Sequence, residues 1–317
     1  MAKQDEQRLL VKIATLYYIE GKKQSDIARL LSLSQSFVSR AITRSLKDGV
    51  VKISVVHPSN IFPELEKQIE EKYGLKQAIL VDVPHNEESA HLKRAIGSAA
   101  AHYIETRLRP DDLVGISSWS STIRAMVDEL HSQNLNARGV IQLLGGVGPN
   151  GNVQATILTQ NLAQQLNCRS WLLPSQTIER SVSDREKMIA NPEISEVLAQ
   201  FDNVDIAIVG VGQLEPSQLL KNSGNYYDEA MLETLANRNA VGDLCLRYYD
   251  SEGNAVLAED EDPVVGIDLP KLKKCPHVIA LAGGKNKVNA LHGALNGQYI
   301  DVLITDFYTA KELVKQK

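Results

Sequence analysis

Residues 113–122 read Leu-Val-Gly-Ile-Ser-Ser-Trp-Ser-Ser-Thr. Residues 113–116 form a short apolar run, the pattern of a strand covered on both faces. The run stops at serines, and a helical pattern opens at Ser121 and extends over 121–132. Strand, hydroxyl-rich turn and helix in that order are one unit of an α/β domain.

Working outward, the same alternation recurs. Candidate strands lie at 77–83, 140–144, 170–173, 204–209, 240–248, 277–281 and 299–304. Helical patterns at 89–107, 155–167, 184–200, 228–237, 287–295 and 307–315 fall between most of them. Such alternation predicts a mostly parallel sheet covered by helices. Asp250-Ser251-Glu252-Gly253-Asn254 reads as a hairpin turn within a β-excursion.

Ligands of such folds bind beyond the carboxyl ends of the strands, where free N–H groups and helix N-termini hold anions. Several predicted strands here end in small or hydroxyl residues: 115–122, Gly145-Gly146-Val147-Gly148, Gly210-Val211-Gly212 and Ala282-Gly283-Gly284-Lys285. None is a Walker loop and none has the Gly-x-Gly-x-x-Gly dinucleotide fingerprint. Each alone reads more readily as a tight strand-to-helix turn. Together, on one edge, they point to a phosphorylated or polyhydroxy ligand.

Single residues keep two readings. Asp243 could hold sugar hydroxyls or merely serve a turn. Lys287 either meets a ligand anion or is an exposed lysine, in a first helical turn where the dipole disfavours a cation. Trp119 stacks on a sugar ring or simply packs.

The N-terminal sixth differs in charge. Residues 1–53 carry ten Lys/Arg against five Asp/Glu, a net +5, whereas the whole chain of 317 residues is at −5. A basic end on an acidic chain is where a polyanion would bind. Residues 6–20 place Leu9, Leu10, Ile13, Leu16 and Tyr17 at helical spacing. A second helix runs from Ser25 to Leu31 and a third from near Gln35 to before Gly49, with Ser34 as its N-cap. Small Ala28 at the crossing and Ile27, Leu33 and Val38 between the helices complete a helix-turn-helix pattern. Ser32 occupies the turn position where glycine is usual, because the backbone there is left-handed. The third helix then presents Ser34, Gln35, Ser36, Ser39, Arg40, Thr43 and Arg44. Gln and Arg can pair with adenine and guanine edges. Lys22, Lys23, Gln24, Arg44 and Lys47 are candidates for phosphate or groove contacts. Residues 50–56 alternate enough to form the strand of a wing, and His57-Pro58-Ser59-Asn60 marks a boundary. The expected domains are 1–57, a winged helix-turn-helix, and 58–317, an α/β effector-binding and oligomerisation domain.

Three cysteines without paired spacing and seven dispersed histidines argue against a disulfide framework or a metal site, and no cofactor is expected. No apolar stretch approaches the length of a membrane span. The first ten residues carry both charge signs and lack a signal-peptide pattern, so a cytoplasmic location is expected.

With Leu-Ser-Leu-Ser-Gln-Ser-Phe-Val-Ser-Arg at 31–40 and these strand ends in view, the chain resembles the SorC family of sugar-sensing bacterial regulators. Gln142-Leu143-Leu144-Gly145-Gly146, Leu172-Leu173-Pro174, Ala240-Val241-Gly242-Asp243 and Leu303-Ile304-Thr305-Asp306 also carry the resemblance. It implies a sensor fold like that of ribose-5-phosphate isomerases and glucosamine-6-phosphate deaminases, without their activity. It further implies a homodimer or homotetramer on a double-stranded DNA operator, responding to a phosphorylated sugar or polyol. By position, Ser117, Ser118, Ser120, Ser121 and Thr122 match the family's phosphate-side loop, and Gly145, Gly146, Asp243 and Lys287 other pocket positions. The alternative is a sugar-phosphate isomerase or deaminase with a DNA-binding appendage. That enzyme would need a poised acid and base, for which Asp243, Asp306 and Lys287 are the candidates.

Overall fold

The computed structural model describes residues 2–51, 61–83, 89–131 and 135–316. It divides into two compact units, Met1–Pro58 and Ser59–Lys317.

In the first unit, helix α1 (Ala2–Ala14) runs into a single π-helical turn at Thr15–Ile19. Helix α2 (Gln24–Leu30) and helix α3 (Gln35–Lys47) follow, separated by four residues. Leu10, Ile13, Leu16, Ile27, Ala28, Val38, Ala41 and Ile42 form one buried cluster. Leu33 packs against it half-buried. The Ser34 hydroxyl accepts from the Phe37 N–H at 3.2 Å, so α3 begins where its cap predicts. Ser32 has φ of 53°, the left-handed conformation expected of the tight turn. A residue other than glycine there costs about 1–2 kcal/mol. Ser32→Gly is therefore expected to increase amide protection across α2 and α3 in hydrogen exchange. Unchanged or weaker protection would show that the turn is not strained. The predicted wing lies largely outside the described residues, which resume at Ile61.

The second unit contains ten strands among the described residues. They are β1 (Gln77–Val81), β2 (Leu113–Ile116), β3 (Gly139–Gln142), β4 (Arg169–Trp171) and β5 (Ile206–Val209). Then come β6 (Val211–Gly212), β7 (Gly242–Leu244), β8 (Arg247–Tyr249), β9 (His277–Leu281) and β10 (Val302–Asp306). Seven of them form a parallel sheet in the order β1-β10-β9-β5-β2-β3-β4. β6, β7 and β8 form a small antiparallel sheet.

Successive residues of the central strands feed opposite cores, as the period of two requires. Ile206 and Ile208 join Ile96, Ile123, Met126 and Leu158 on one face. Ala207 and Val209 join Leu235, Leu272, Leu291 and Leu313 on the other. Helices thus cover both faces, and the central strands are buried throughout, which is why they read as unbroken apolar runs.

The chain order contains a switch. From β2 the chain moves outward to β3 and β4, then returns to β2's other flank as β5 and moves on towards β9 and β10. The connections leaving β2 and β5 therefore diverge and open a crevice at their carboxyl ends.

Two predicted elements are corrected. The single strand expected at 240–248 is a hairpin, turning at Cys245 and Leu246 with φ of 53° and 61°. Two-residue turns with both φ positive usually announce themselves as Asn-Gly or Asp-Gly; Cys-Leu gives no such signal. The helix expected at 184–200 is two helices, Val182–Ile189 and Pro192–Ala199. Pro192 starts the second, where its missing N–H costs nothing, and the Asn191 side chain accepts from the Glu193 N–H.

Candidate functional site

A cavity of about 550 Å³ opens at this switch point. One wall comes from the β2 end. Ser117 lines it, and Ser120 caps the helix Ser121–Asp128 by accepting from the Ile123 N–H at 3.3 Å. Ser121 and Thr122 occupy that helix's first turn and also line the cavity. The helix dipole and free N–H groups there favour an anion.

Across the crevice, Gly210 and Gly212 bring backbone close to neighbours. A Cβ on Gly210 would lie 2.9 Å from the Ser120 hydroxyl, and one on Gly212 1.6 Å from an Asp243 carboxylate oxygen. The glycines of β5–β6 thus let the hairpin and the serine loop close around one space.

The hairpin contributes Asp243, Cys245 and Leu246 to the cavity, and the loop after β9 contributes Lys285, Asn286 and Lys287. Asp243 accepts from the Leu246 N–H at 2.9 Å. Burial pushes its carboxyl up to about 6, against the opposing pull of that hydrogen bond and of Lys287. Burial likewise lowers the Lys287 ammonium, with Asp243 opposing. No ion pair within 4.0 Å joins them among the described residues, and both line the cavity. Burial raises the Cys245 thiol to about 12, leaving a neutral wall rather than a nucleophile.

The structure brings six of the nine sequence-predicted pocket residues together here: Ser117, Ser120, Ser121, Thr122, Asp243 and Lys287. It places three elsewhere. Ser118 is buried and shares a 2.8 Å hydrogen bond with the Thr159 hydroxyl. Gly145 abuts the Gln176 carbonyl, 2.3 Å from where its Cβ would be, and Gly146 abuts the Gln142 amide. Their glycines make room for protein, not ligand. Gly145 still acts on the cavity indirectly. Its carbonyl accepts from the Trp119 indole N–H at 2.8 Å and from the Thr177 hydroxyl at 2.7 Å, fixing the ring that lines one wall. Lys93, from the helix Ser89–Arg107, also lines the cavity. Nothing in the sequence near it marks this position; the helix is brought there by tertiary packing.

Asp306 lines the cavity but is committed to structure. It caps the helix Phe307–Lys315 through the Thr309 N–H at 3.0 Å and accepts from the Gly284 N–H at 2.8 Å. A carboxylate so occupied holds the Gly283-Gly284 loop in shape and is poorly placed to shuttle protons. Among the described residues, no group of three or more His, Cys, Asp or Glu could hold a metal ion. Nor, among them, is any helix long and apolar enough to cross a membrane.

On the first unit, Ser34, Gln35, Ser36, Ser39, Arg40, Thr43 and Lys47 are exposed on or beside α3. Lys23 is exposed and Gln24 half-buried at the start of α2. Arg44 is engaged within the unit: it bonds Asp48 at 2.9 Å and also Glu6 on α1. Lys22 pairs with Glu20. Arg40 and Lys47 form no ion pair among the described residues, so their charges are available to a partner.

A compact basic helical unit joined to a doubly wound domain with a hydroxyl- and lysine-lined cavity defines a ligand-responsive regulator. Residues 59–315 match the family model described as "Putative sugar-binding domain", and the chain belongs to the SorC family of sugar-binding transcriptional regulators. It is 29% identical to the deoxyribonucleoside regulator of Bacillus subtilis, covering 98% of each chain. The full-length sorbitol operon regulator SorC from Klebsiella pneumoniae superposes with a TM-score of 0.73 at 28% identity, covering 98% of this chain and 99% of that one. The sugar-binding domain of transcriptional regulator DeoR from Pseudomonas syringae pv. tomato is 46% identical, with a TM-score of 0.62 over 79% of this chain and 97% of its own. These relatives are transcription regulators, which favours the regulator over the isomerase or deaminase alternative.

Proposed function

We propose that this chain is a cytoplasmic, homo-oligomeric regulator of a carbohydrate-utilisation operon, released from or remodelled on its operator by a phosphorylated sugar or polyol. The observation that carries the effector class is the cavity's two-part lining. Ser120, Ser121 and Thr122 at a helix N-terminus suit a phosphate, while Asp243 and Lys287, unpaired with each other, suit hydroxyls or a carbonyl oxygen. The names of the relatives, a sorbitol operon regulator and a deoxyribonucleoside regulator, agree with sugar and polyol chemistry. In this reading α3 enters the major groove with Ser34, Gln35, Ser36, Ser39, Arg40 and Thr43 towards base edges. Lys23, Gln24 and Lys47 flank it towards phosphates, joined by Lys22 and Arg44 once these exchange their exposed partners Glu20, Glu6 and Asp48 for the DNA backbone. A two-fold oligomer would set two such helices in successive major grooves.

The test is thermal unfolding against a panel of sugars, polyols and their phosphates. A ligand at 100 times its dissociation constant adds about 2.7 kcal/mol of stability. A shift with phosphorylated compounds and none with their unphosphorylated forms is expected; a shift with neither removes the effector assignment. For the DNA half, Arg40→Ala is expected to weaken operator binding by about 1–3 kcal/mol at fixed salt. Unchanged affinity would remove Arg40 from the interface.

A further inference from the structure

Phe37 is the third residue of α3, flanked in sequence by Ser36 and the fully buried Val38. Val38, Ala41, Ile42 and Ser45 form the inward face of the helix. Phe37 does not belong to it: its side chain is 39% exposed and takes no part in the unit's apolar cluster. No aromatic or cation–π contact engages its ring among the described residues. The exposed residues next to it in sequence are polar or charged. Arg40 stands at i+3 and Arg44 two turns on, while Ser34 and Ser36 lie before it. The exposed part of an aromatic ring on the first turn of a helix contributes nothing to the unit's own stability.

What meets that ring is set by the company it keeps. The unit is basic, and Arg40, unpaired, projects from the next turn of the same helix. A polyanion is therefore the favoured occupant, and the N-terminal residues of a recognition helix are those that reach base edges. The major groove offers one distinctly apolar group, the C5-methyl of thymine. We propose that Phe37 packs on a thymine methyl and is a specificity-determining residue of the operator complex, beside the polar readers of the same turn. This rests on the reading of α3 as the recognition helix.

The test begins by enriching binding sites from a random duplex pool with the full-length protein, with and without mixed sugar phosphates. Each thymine of the enriched operator is then replaced singly by uracil, which deletes only the methyl. Dissociation constants are measured at fixed salt for the wild type and for Phe37→Ala. Burial of one methyl corresponds to about 0.8 kcal/mol, or about a fourfold change in affinity. The expected result is a thymine whose replacement weakens the wild type by about fourfold and leaves Phe37→Ala unchanged. Phe37→Leu is expected to retain part of the effect. A flat uracil series in the wild type overturns the proposal without recourse to any variant, so a folding defect cannot rescue it. A loss equally large in Phe37→Ala overturns it too. Failure to enrich any sequence defeats the recognition-helix reading itself, and this inference with it.

Discussion

Arg247→Ala is expected to destabilise the effector domain by about 3–5 kcal/mol, the loss typical of breaking a buried ion pair from one side. Arg247 meets Asp262 at 2.6 Å, and their side chains are only 12% and 9% exposed. The guanidinium also donates to three carbonyls, those of Val264, Gly266 and Ile267, each at 3.1 Å. Asp262 is held in turn by the Val264 N–H at 3.0 Å and the Tyr227 hydroxyl. This network fastens the segment 262–267 across β8. The same segment bonds the end of β3, through Gly145 N–H to Val265 O and Ile267 N–H to Leu143 O. Truncating the arginine leaves a buried carboxylate without its counter-charge and takes a donor from three carbonyls. Arg247→Lys keeps the charge but not the planar fork, so an intermediate loss is expected. Denaturant unfolding measures both; a loss below about 1 kcal/mol for alanine would show that backbone bonds and packing hold the segment without the arginine. Because β8 is the return strand of the hairpin bearing Asp243 and Cys245, the variant should also blunt effector-induced stabilisation.

The parts of this architecture that were legible in the sequence are those whose cause is local. The strands at 113–116 and 277–281 are unbroken apolar runs because both sheet faces are covered, and the helix at 89–107 carries its own periodicity. The turn at Ser32 was legible because the spacing of Ala28, Leu33 and Val38 fixes what the backbone must do between them. The hairpin at Cys245-Leu246 was not, since its residue types carry no turn preference and only packing holds them at positive φ. Gly145 and Gly146 illustrate a deeper ambiguity. A glycine says that something approaches closely, but not whether it is a ligand or another backbone. Ser118 fails for a similar reason: in a run of hydroxyl residues, only the fold decides which one turns inward to Thr159. Arg44 and Lys93 depend on partners from other helices. Glu6 takes up the former, while the sheet's assembly carries the latter to the cavity.

Asp243→Asn is expected to raise stability at neutral pH by about 3 kcal/mol while abolishing the effector response. An unfolded aspartate ionises near pH 4, and in the folded protein burial pushes Asp243 up to about 6. The folded state therefore keeps its proton while the unfolded state has lost it. Stability falls as pH rises through this window and stays low above it. A displacement of about two units corresponds to about 3 kcal/mol. Asparagine can still accept from the Leu246 N–H but carries no charge to bury, so its stability should be flat between pH 4 and 6. At pH 4 or below, the two proteins should unfold alike; the gap should open on the way to pH 6. Equal destabilisation at both ends would mean that the carboxylate is a structural partner rather than a charge held for a ligand. Effector hydroxyls donating to the carboxylate would favour its ionised form. Ligand stabilisation of the wild type should then grow as pH rises through 6, a trend that Asp243→Asn lacks. On the proposed reading, the cost of keeping an ionisable group in the crevice is offset when the ligand binds, which would couple occupancy to the stability of the fold.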